Sequence, residues 1–548
     1  MQTEYDFIVV GSGSAGAIIA ARLAEDSSNK VLLLEAGPKD SSLLFHVPAA
    51  MRYAYNAPKY NWNFETEPEP YLNDRVLVQP RGKVLGGSSS INGQLYLRGH
   101  PMDYEGWAEG GARGWSYSEV LPYFKRLETR VDGNTEYQGH DGPIRASTMG
   151  SDDPLTQAFL KAGEEAGYCR TDDVNGGQQD GFGYLPKNVS EGRRSSTAHC
   201  YLRNPPKNLD IQTGCTVRNL IIENKVAKGV RYVQSEREIA ATARREVVLS
   251  AGAFNSPTIL MHSGIGPAAQ LREHSIEVVH DLPGVGENLM DHPLTSLQVK
   301  CTQPVTLYRH LNLFSQAKGV IDWALTRTGL LANNHFDAVC FLRTKAGVRF
   351  PNMQIALFQI AVAEGSAEFI KEHAYQLQFT NQRPKSRGYV KLASNDPFTS
   401  PRIRYNMLAH PEDVEELKAG LRLSRELAQQ PSLANFTGDE IFPGQQVQSE
   451  SDIENWLREN CHSSYHPSGT CKMGVDEMAV VDPECRVHGI DNLRVADASI
   501  MPVIPSANLN CPTMMIGEKA SDMILGKDPL LPSNLPYFSD PNWETAQR

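Results

Sequence analysis

The sequence predicts an α/β fold, α+β over its whole length, in which a parallel sheet is joined to a second, antiparallel sheet flanked by helices. Three stretches predict it. "YDFIVVGSGSAGAIIAARLAE" reads as strand, glycine turn and helix, and "KVLLLEAG" reads as a second buried strand. "YQLQFT", Tyr375 to Thr380, alternates apolar and polar residues, as a half-buried antiparallel strand does. At 548 residues the chain is too long for one core.

Phe7 to Val10 is a short apolar run of the kind buried in a parallel sheet. Gly11, Gly13 and Gly16 follow as GxGxxG, with Ser14 and Ala15 between them, and Ala17 to Leu23 reads as a helix. The first glycine permits the tight turn. The second lets backbone approach a pyrophosphate, and the third lets the helix lie close to the strand. Free N–H groups at the helix start favour the anion. The second strand ends at Glu35, 19 residues after Gly16, where a carboxylate can accept both hydroxyls of an adenosine ribose and disfavours a 2′-phosphate. This is a Rossmann-like turn, and it leaves FAD and NAD both open.

Composition narrows the class further. Net charge is −11, which argues against nucleic acid or an anionic membrane surface as partner. Nine scattered cysteines without a CxxC pair argue against a disulfide framework or a structural zinc and fit a cytoplasmic setting. The apolar N-terminus lacks a preceding Lys or Arg and is broken by glycines, so it is not read as a signal peptide. No apolar run of about 18 residues predicts an integral membrane segment.

Four further stretches carry a resemblance. They are "RGKVLGGSSSING" (Arg81 to Gly93), "GAFNSPTILMHSGIG" (Gly252 to Gly266), "YHPSGTCKMG" and "LRVADASIMPVIPSANLNCPTMMIGEKA". In their order along nearly the whole chain they resemble the signatures of the glucose–methanol–choline (GMC) oxidoreductases. The resemblance implies an FAD-binding domain and a substrate domain. It places the ADP half at Gly11, Gly13, Ser14 and Glu35, with Ala15, Gly16 and Ala36 beside them. It sets Val84, Gly86, Gly87, Asn92 and Gly93 along the flavin, with Trp62 at the cofactor edge. Val217 in "GCTVRN" matches a position whose backbone meets the adenine. Ala251, Asp497 and Ala498 fall near the phosphates and ribityl chain, and Asn510, Pro512 and Thr513 at a helix start near the flavin. Some members attach FAD through a histidine at the position of Ile91, so non-covalent FAD is expected here.

His466 in "SSYHPSGTCKMG" admits several readings. A metal site needs more ligands than His462 and His466 supply, and Pro467 disfavours a common helix face. A thiol pair with Cys471 would need an oxyanion hole and an orienting acid. A loop histidine without a role is the bland reading. Within the resemblance His466 is the base that takes the hydroxyl proton while the carbinol carbon gives hydride to flavin N5. The polar partner is Asn508 by position, with Asn510 two residues on expected at the flavin.

The resemblance implies oxidation of a primary alcohol to an aldehyde, with choline-like amino alcohols as lead substrates. Trp62 and Tyr465 match the aromatic cage of choline-oxidising members, although both also read as packing at the cofactor edge. "GLLANNHFDAVCFLRT" is similar to a stretch of those members but carries Asp337 where they carry Glu, a residue that could pair with a cation or stand solvated. Uncharged aliphatic or aromatic alcohols are the alternative, and an FAD-containing lyase without net redox is a third reading. Oxygen and a quinone- or dye-type acceptor both remain open.

The division expected is 1–155, 190–296 and 455–548 for the FAD-binding domain, with 156–189 and 297–454 for the substrate domain. "HPEDVEELKAGLRL" predicts a helix with Val414, Leu417 and Leu421 on one face. The proline-containing tail from Asp528 is expected to cross the surface without regular structure.

Overall fold

The structure is a computed structural model and describes residues 3–148, 152–363 and 368–548. Its first sheet is nucleated by β1 (Thr3–Val10) and β2 (Val31–Glu35), which pair in parallel. Every residue of β2 is buried, which explains why this strand reads as a continuous apolar run ending in Glu35. β3 (Leu209–Thr213) extends the sheet beyond β2. On the other side come β4 (Cys215–Glu223), β5 (Val226–Gln234) and β6 (Arg237–Leu249), in the order β3-β2-β1-β6-β5-β4. The long β6 changes partners along its length. Its first half folds back antiparallel on β5, and its second half runs parallel to β1. Its last residues take Leu493–Val495 as a further parallel neighbour, so the sheet recruits a strand from near the far end of the chain.

Helix α1 (Gly16–Leu23) packs on this sheet through small residues. A Cβ on Gly16 would lie 1.9 Å from the Gly11 carbonyl oxygen, so the helix can start this close to β1 only with glycine. α2 (Gly252–His262) leaves the end of β6 across the turn at Ser250 and Ala251.

The second sheet is antiparallel throughout. It contains β7 (Pro293–Cys301), β8 (Phe336–Leu342), β9 (Met353–Phe358), β10 (Ala374–Asn381) and β11 (Thr437–Phe442), in the order β11-β7-β10-β9-β8, with Gly181–Tyr184 on the β8 edge. The alternation seen in "YQLQFT" has its physical cause here. Tyr375, Leu377 and Phe379 point to one face and pack, with Ile355 and Leu357, against Leu417 and Leu421 of α3 (Pro411–Ala428). α3 begins with Pro411 at its first position, acids in its first turn and His410 Nδ1 accepting from the Glu412 N–H. The opposite face of the sheet is polar and looks onto a cavity.

Strand β7 of the second sheet begins at Pro293, a few residues before the boundary expected at 296/297, and His462–Ser463 pairs with its first residues. His466 thereby follows directly from an edge of the sheet. The tail has no helix or strand after Leu525, yet it is pinned to the body. Ser533 donates its N–H to the Ser118 carbonyl at 2.8 Å, Asp540 pairs with Arg343, and Arg548 pairs with Glu426 at 2.7 Å. Among the described residues no helix is long and apolar enough to cross a membrane.

Candidate active site

The two sheets enclose a cavity of about 1700 Å³, larger than the roughly 300–1,000 Å³ of a single small-ligand pocket. One end lies at the carboxyl ends of β1 and β2, where open α/β sheets bind ligands. Gly11, Gly13, Ser14, Ala15, Glu35 and Ala36 line it there. Gly11 sits at φ +94°. A Cβ on Gly13 would meet nothing within 4 Å, so this backbone faces free space. A Cβ on Gly87 would come within 2.8 Å of the Gly13 Cα, so the "GGSSS" loop lies directly against the glycine turn. The Glu35 carboxylate accepts from Ser12 N–H (3.0 Å) and hydroxyl (2.6 Å) and from Gly37 N–H (2.8 Å). Burial pushes its pKa up. An open glycine turn ending on a fixed carboxylate fits the ADP half of a dinucleotide.

The remaining positions expected at the cofactor divide into two layers. Gly87, Asn92, Gly93, Val217, Ala251 and Asp497 line the cavity, as do Ala498, Asn510 and Thr513. Gly16, Val84, Gly86 and Pro512 stand outside this lining. Val84 packs with Phe45, Ala54 and Ile91, and Gly86 at φ +88° turns the loop. Pro512 is the third residue of α4 (Asn510–Leu525). Asn510 Oδ1 accepts from the Ser14 hydroxyl at 2.7 Å, tying the start of α4 to the glycine turn. Asp497 is held by Gly252 N–H (2.8 Å), Ser256 hydroxyl (2.6 Å) and Ser499 N–H (2.7 Å).

Sequence reasoning missed Arg194. It is fully buried and donates to Asn92 Oδ1 at 2.6 Å, and burial pulls its pKa down to about 9. Among the described residues no carboxylate offsets this burial. The only available signal was "GRRSS", which resembles an ordinary basic turn.

At the other end of the glycine-lined cleft stands His466. Its Nδ1 lies 3.0 Å from Nδ1 of His292, and its Nε2 lies 3.1 Å from Nδ2 of Asn508. With the Asn508 amide donating, Nε2 carries the lone pair and Nδ1–H donates to His292. Burial, then His292 and Arg81, hold the His466 pKa well below the ordinary imidazole value, so the ring is neutral at pH 7. Burial also pulls His292 down to about 3, so it too is neutral. Asp291 fixes the backbone around the pair. It accepts from His292 N–H (2.8 Å), His466 N–H (2.9 Å) and the Ser463 hydroxyl. Its own pKa is pushed up to about 6 by burial. Arg81 donates to the Tyr465 carbonyl at 2.6 Å, joining the first signature loop to the histidine loop. Asn508, and not Asn510, is the asparagine beside His466. Neither His292 nor Asp291 was singled out in the sequence, since "MDHP" lies 174 residues from His466 in the chain.

The proposed cage residues separate. Trp62 and Tyr465 both line the cavity. Trp62 stacks on Phe64 with ring centroids 5.7 Å apart, and the Lys83 ammonium lies 4.4 Å from its ring centroid. Tyr465 is 42% exposed. Asp337 requires a correction. It is neither solvated nor in the cavity lining, because Lys187, 150 residues earlier, meets its Oδ1 at 2.5 Å and Asn333 adds a bond at 3.1 Å. Burial pushes the Asp337 pKa up, but the adjacent ammonium outweighs it and holds the carboxyl below its usual range. Its charge is satisfied inside the protein and unavailable to a substrate cation.

A dinucleotide cleft that opens onto a neutral histidine and an amide fits an oxidoreductase that moves a proton beside its cofactor, and the comparisons give the family. A model described as GMC oxidoreductase matches residues 5–294, and its C-terminal counterpart matches residues 384–517. The chain belongs to the GMC oxidoreductase family and is an FAD-dependent oxidoreductase acting on alcohols. It is 47% identical over 549 residues to an oxygen-dependent choline dehydrogenase of Brucella anthropi, covering 100% of both chains. It is 46% identical to one of Photobacterium profundum, covering 100% of this chain and 98% of the other. Among solved structures it is similar to formate oxidase of Aspergillus oryzae (28% identity, TM-score 0.89, 96% and 98% covered) and to a pyridoxine 4-oxidase (30% identity, TM-score 0.86, 96% and 100% covered).

One prediction follows from the turn itself. Gly16→Ala should give protein that purifies with little or no FAD, because the added methyl pushes α1 off the Gly11 carbonyl. The flavin-to-protein absorbance ratio checks it, and a ratio near that of the wild type would contradict the close-packing argument.

Proposed function

We propose that this protein oxidises a primary alcohol to its aldehyde, with choline-like amino alcohols as the lead substrates. His466, its neutral Nε2 beside Asn508 in the cavity, carries the reading, and the full-length likeness to choline dehydrogenases supports the substrate class. FAD, held non-covalently by the glycine turn, Glu35 and the "GGSSS" loop, supplies the hydride acceptor when bound. Ile91 at the loop position offers no side chain for a covalent link. His466 Nε2 takes the hydroxyl proton as the carbinol C–H is lost, and the carbonyl forms. Nδ1–H, donated to His292, keeps the ring oriented, and a bound alcohol hydroxyl takes the place of the Asn508 N–H on the Nε2 lone pair. The Asn508 amide N–H donates to the oxygen as negative charge develops there.

Oxygen is proposed as acceptor because the relatives are named for it, and a quinone- or dye-type acceptor is the competing outcome. A cytoplasmic setting is proposed on the nine unpaired cysteines. The division into interleaved FAD-binding and substrate domains is proposed with the second sheet as the substrate wall. Anaerobic stopped-flow reduction with choline, 1-hexanol and benzyl alcohol tests the substrate reading. Bleaching by choline ahead of the other two is expected. Bleaching by the uncharged alcohols alone would transfer the proposal to them.

A further inference from the structure

The polar face of the second sheet carries more than its fold requires. Three cross-strand rows face the cavity. Leu294, Thr380 and Gln354 form the first, and Ser296, Gln378 and Ala356 the second. Gln298, Gln376 and Phe358 form the third. β7 leaves directly from His292, so at a strand rise of about 3.3 Å per residue the rows stand roughly 7, 13 and 20 Å beyond it.

Buried amides are ordinarily hydrogen-bonded. Gln359, just past the end of β9, donates its amide N–H to Thr156 and Asp337. Among the described residues Gln298, Gln354, Gln376 and Gln378 make no side-chain hydrogen bond to another residue; Gln298 Oε1 is fully buried without a partner, and all four side chains line the cavity. The Ser296 and Thr380 hydroxyls stand among them on the same face. No ionisable side chain stands on these three rows, and the nearby Asp337 is closed off by Lys187. The wall therefore offers donors and acceptors in quantity and no charge.

We propose that this glutamine wall recognises the part of the alcohol beyond its reacting carbon, and that it selects hydroxyl or ether oxygens there. An amide presents both a donor and an acceptor, which matches a hydroxyl and leaves an alkyl group unrewarded. A site built to hydrogen-bond a substrate hydroxyl discriminates against the analogue that lacks it, because its own polar groups are then left unpaired. The inference rests on the alcohol-oxidising reading of His466 and adds the feature that sorts alcohols from one another.

The test compares two quaternary amino alcohols that differ only in two hydroxyls, tris(2-hydroxyethyl)methylammonium and diethyl(2-hydroxyethyl)methylammonium, in anaerobic flavin reduction by the FAD-loaded enzyme. After allowance for the three equivalent arms of the first, its half-saturating concentration should be lower by about tenfold, the scale of one net hydrogen bond. In Gln354→Leu and Gln378→Leu that ratio should fall toward one. Gln378→Asn, which shortens the amide without removing it, should give an intermediate ratio and covers the case of a poorly folding leucine variant. Equal affinities in the wild type, or a ratio unchanged in both leucine variants, would overturn the proposal. Bleaching by choline together with equal analogue affinities would overturn the wall while leaving alcohol oxidation standing. Failure of choline, both analogues, 1-hexanol and benzyl alcohol alike to bleach the flavin would overturn both readings.

Discussion

His466→Ala is expected to retain FAD and to reduce it about 10²- to 10⁴-fold more slowly with alcohol, the range associated with loss of a positioned base. Anaerobic stopped-flow absorbance measures the rate, and the flavin-to-protein ratio reports binding. Retained activity near the wild-type rate would remove His466 from the chemistry. The pH dependence carries a second check on the same residue. Burial and its neighbours place the His466 pKa well below the ordinary value of about 6.5. The neutral ring is the base, so protonation inactivates it. Flavin reduction at limiting alcohol should therefore stay level from pH 8 down through 6.5 and fall only below that. An unperturbed histidine would already have lost half its rate at about pH 6.5. A midpoint there would contradict the burial argument.

The largest stability effect is expected at Lys187. Both members of the Lys187–Asp337 pair are buried, with side-chain exposures of 0% and 5%. Lys187→Met leaves the Asp337 carboxylate in the interior with only Asn333 and Gln359 as partners. Breaking a buried pair from one side costs about 3–5 kcal/mol. The urea midpoint of the variant should drop accordingly, and the double variant Lys187→Met with Asp337→Leu should recover part of the loss, because it removes the stranded charge. If the double variant is no more stable than the single, the pair is not what holds this region. The same series separates structure from recognition. Asp337→Asn should change the half-saturating concentrations of charged and uncharged alcohols alike, whereas a selective loss for choline would restore Asp337 as a substrate contact.

Legibility differed by residue and for physical reasons. The nucleotide turn was readable because each of its requirements is local. The turn at Gly11, the approach at Gly13 and the packing at Gly16 are properties of backbone within six residues, and β2 follows as an apolar run. The alternation in "YQLQFT" identified the core side of β10 through Leu377 and Phe379. It could not show that Gln376 and Gln378 face a cavity, since a polar side facing bulk water has the same pattern. Asp337 shows the limit most plainly. A carboxylate after "HF" looks the same whether it meets a substrate cation or an internal lysine, and the lysine lies 150 residues away.

The sequence by itself determined the strand–turn–helix that cradles a dinucleotide, the amphipathic α3, the alternating strands and the identity of His466 as a residue needing a partner. Backbone conformation and side-chain periodicity are set by neighbours in the chain. The tertiary structure alone decided that His466 meets His292 on one nitrogen and Asn508 on the other, that Asp291 clamps both histidine backbones, and that Asp337 is neutralised from within. Proton affinity and hydrogen-bond partnership depend on burial and on groups a few ångströms away through space. Here those groups come from segments separated by 42 to 175 residues of chain.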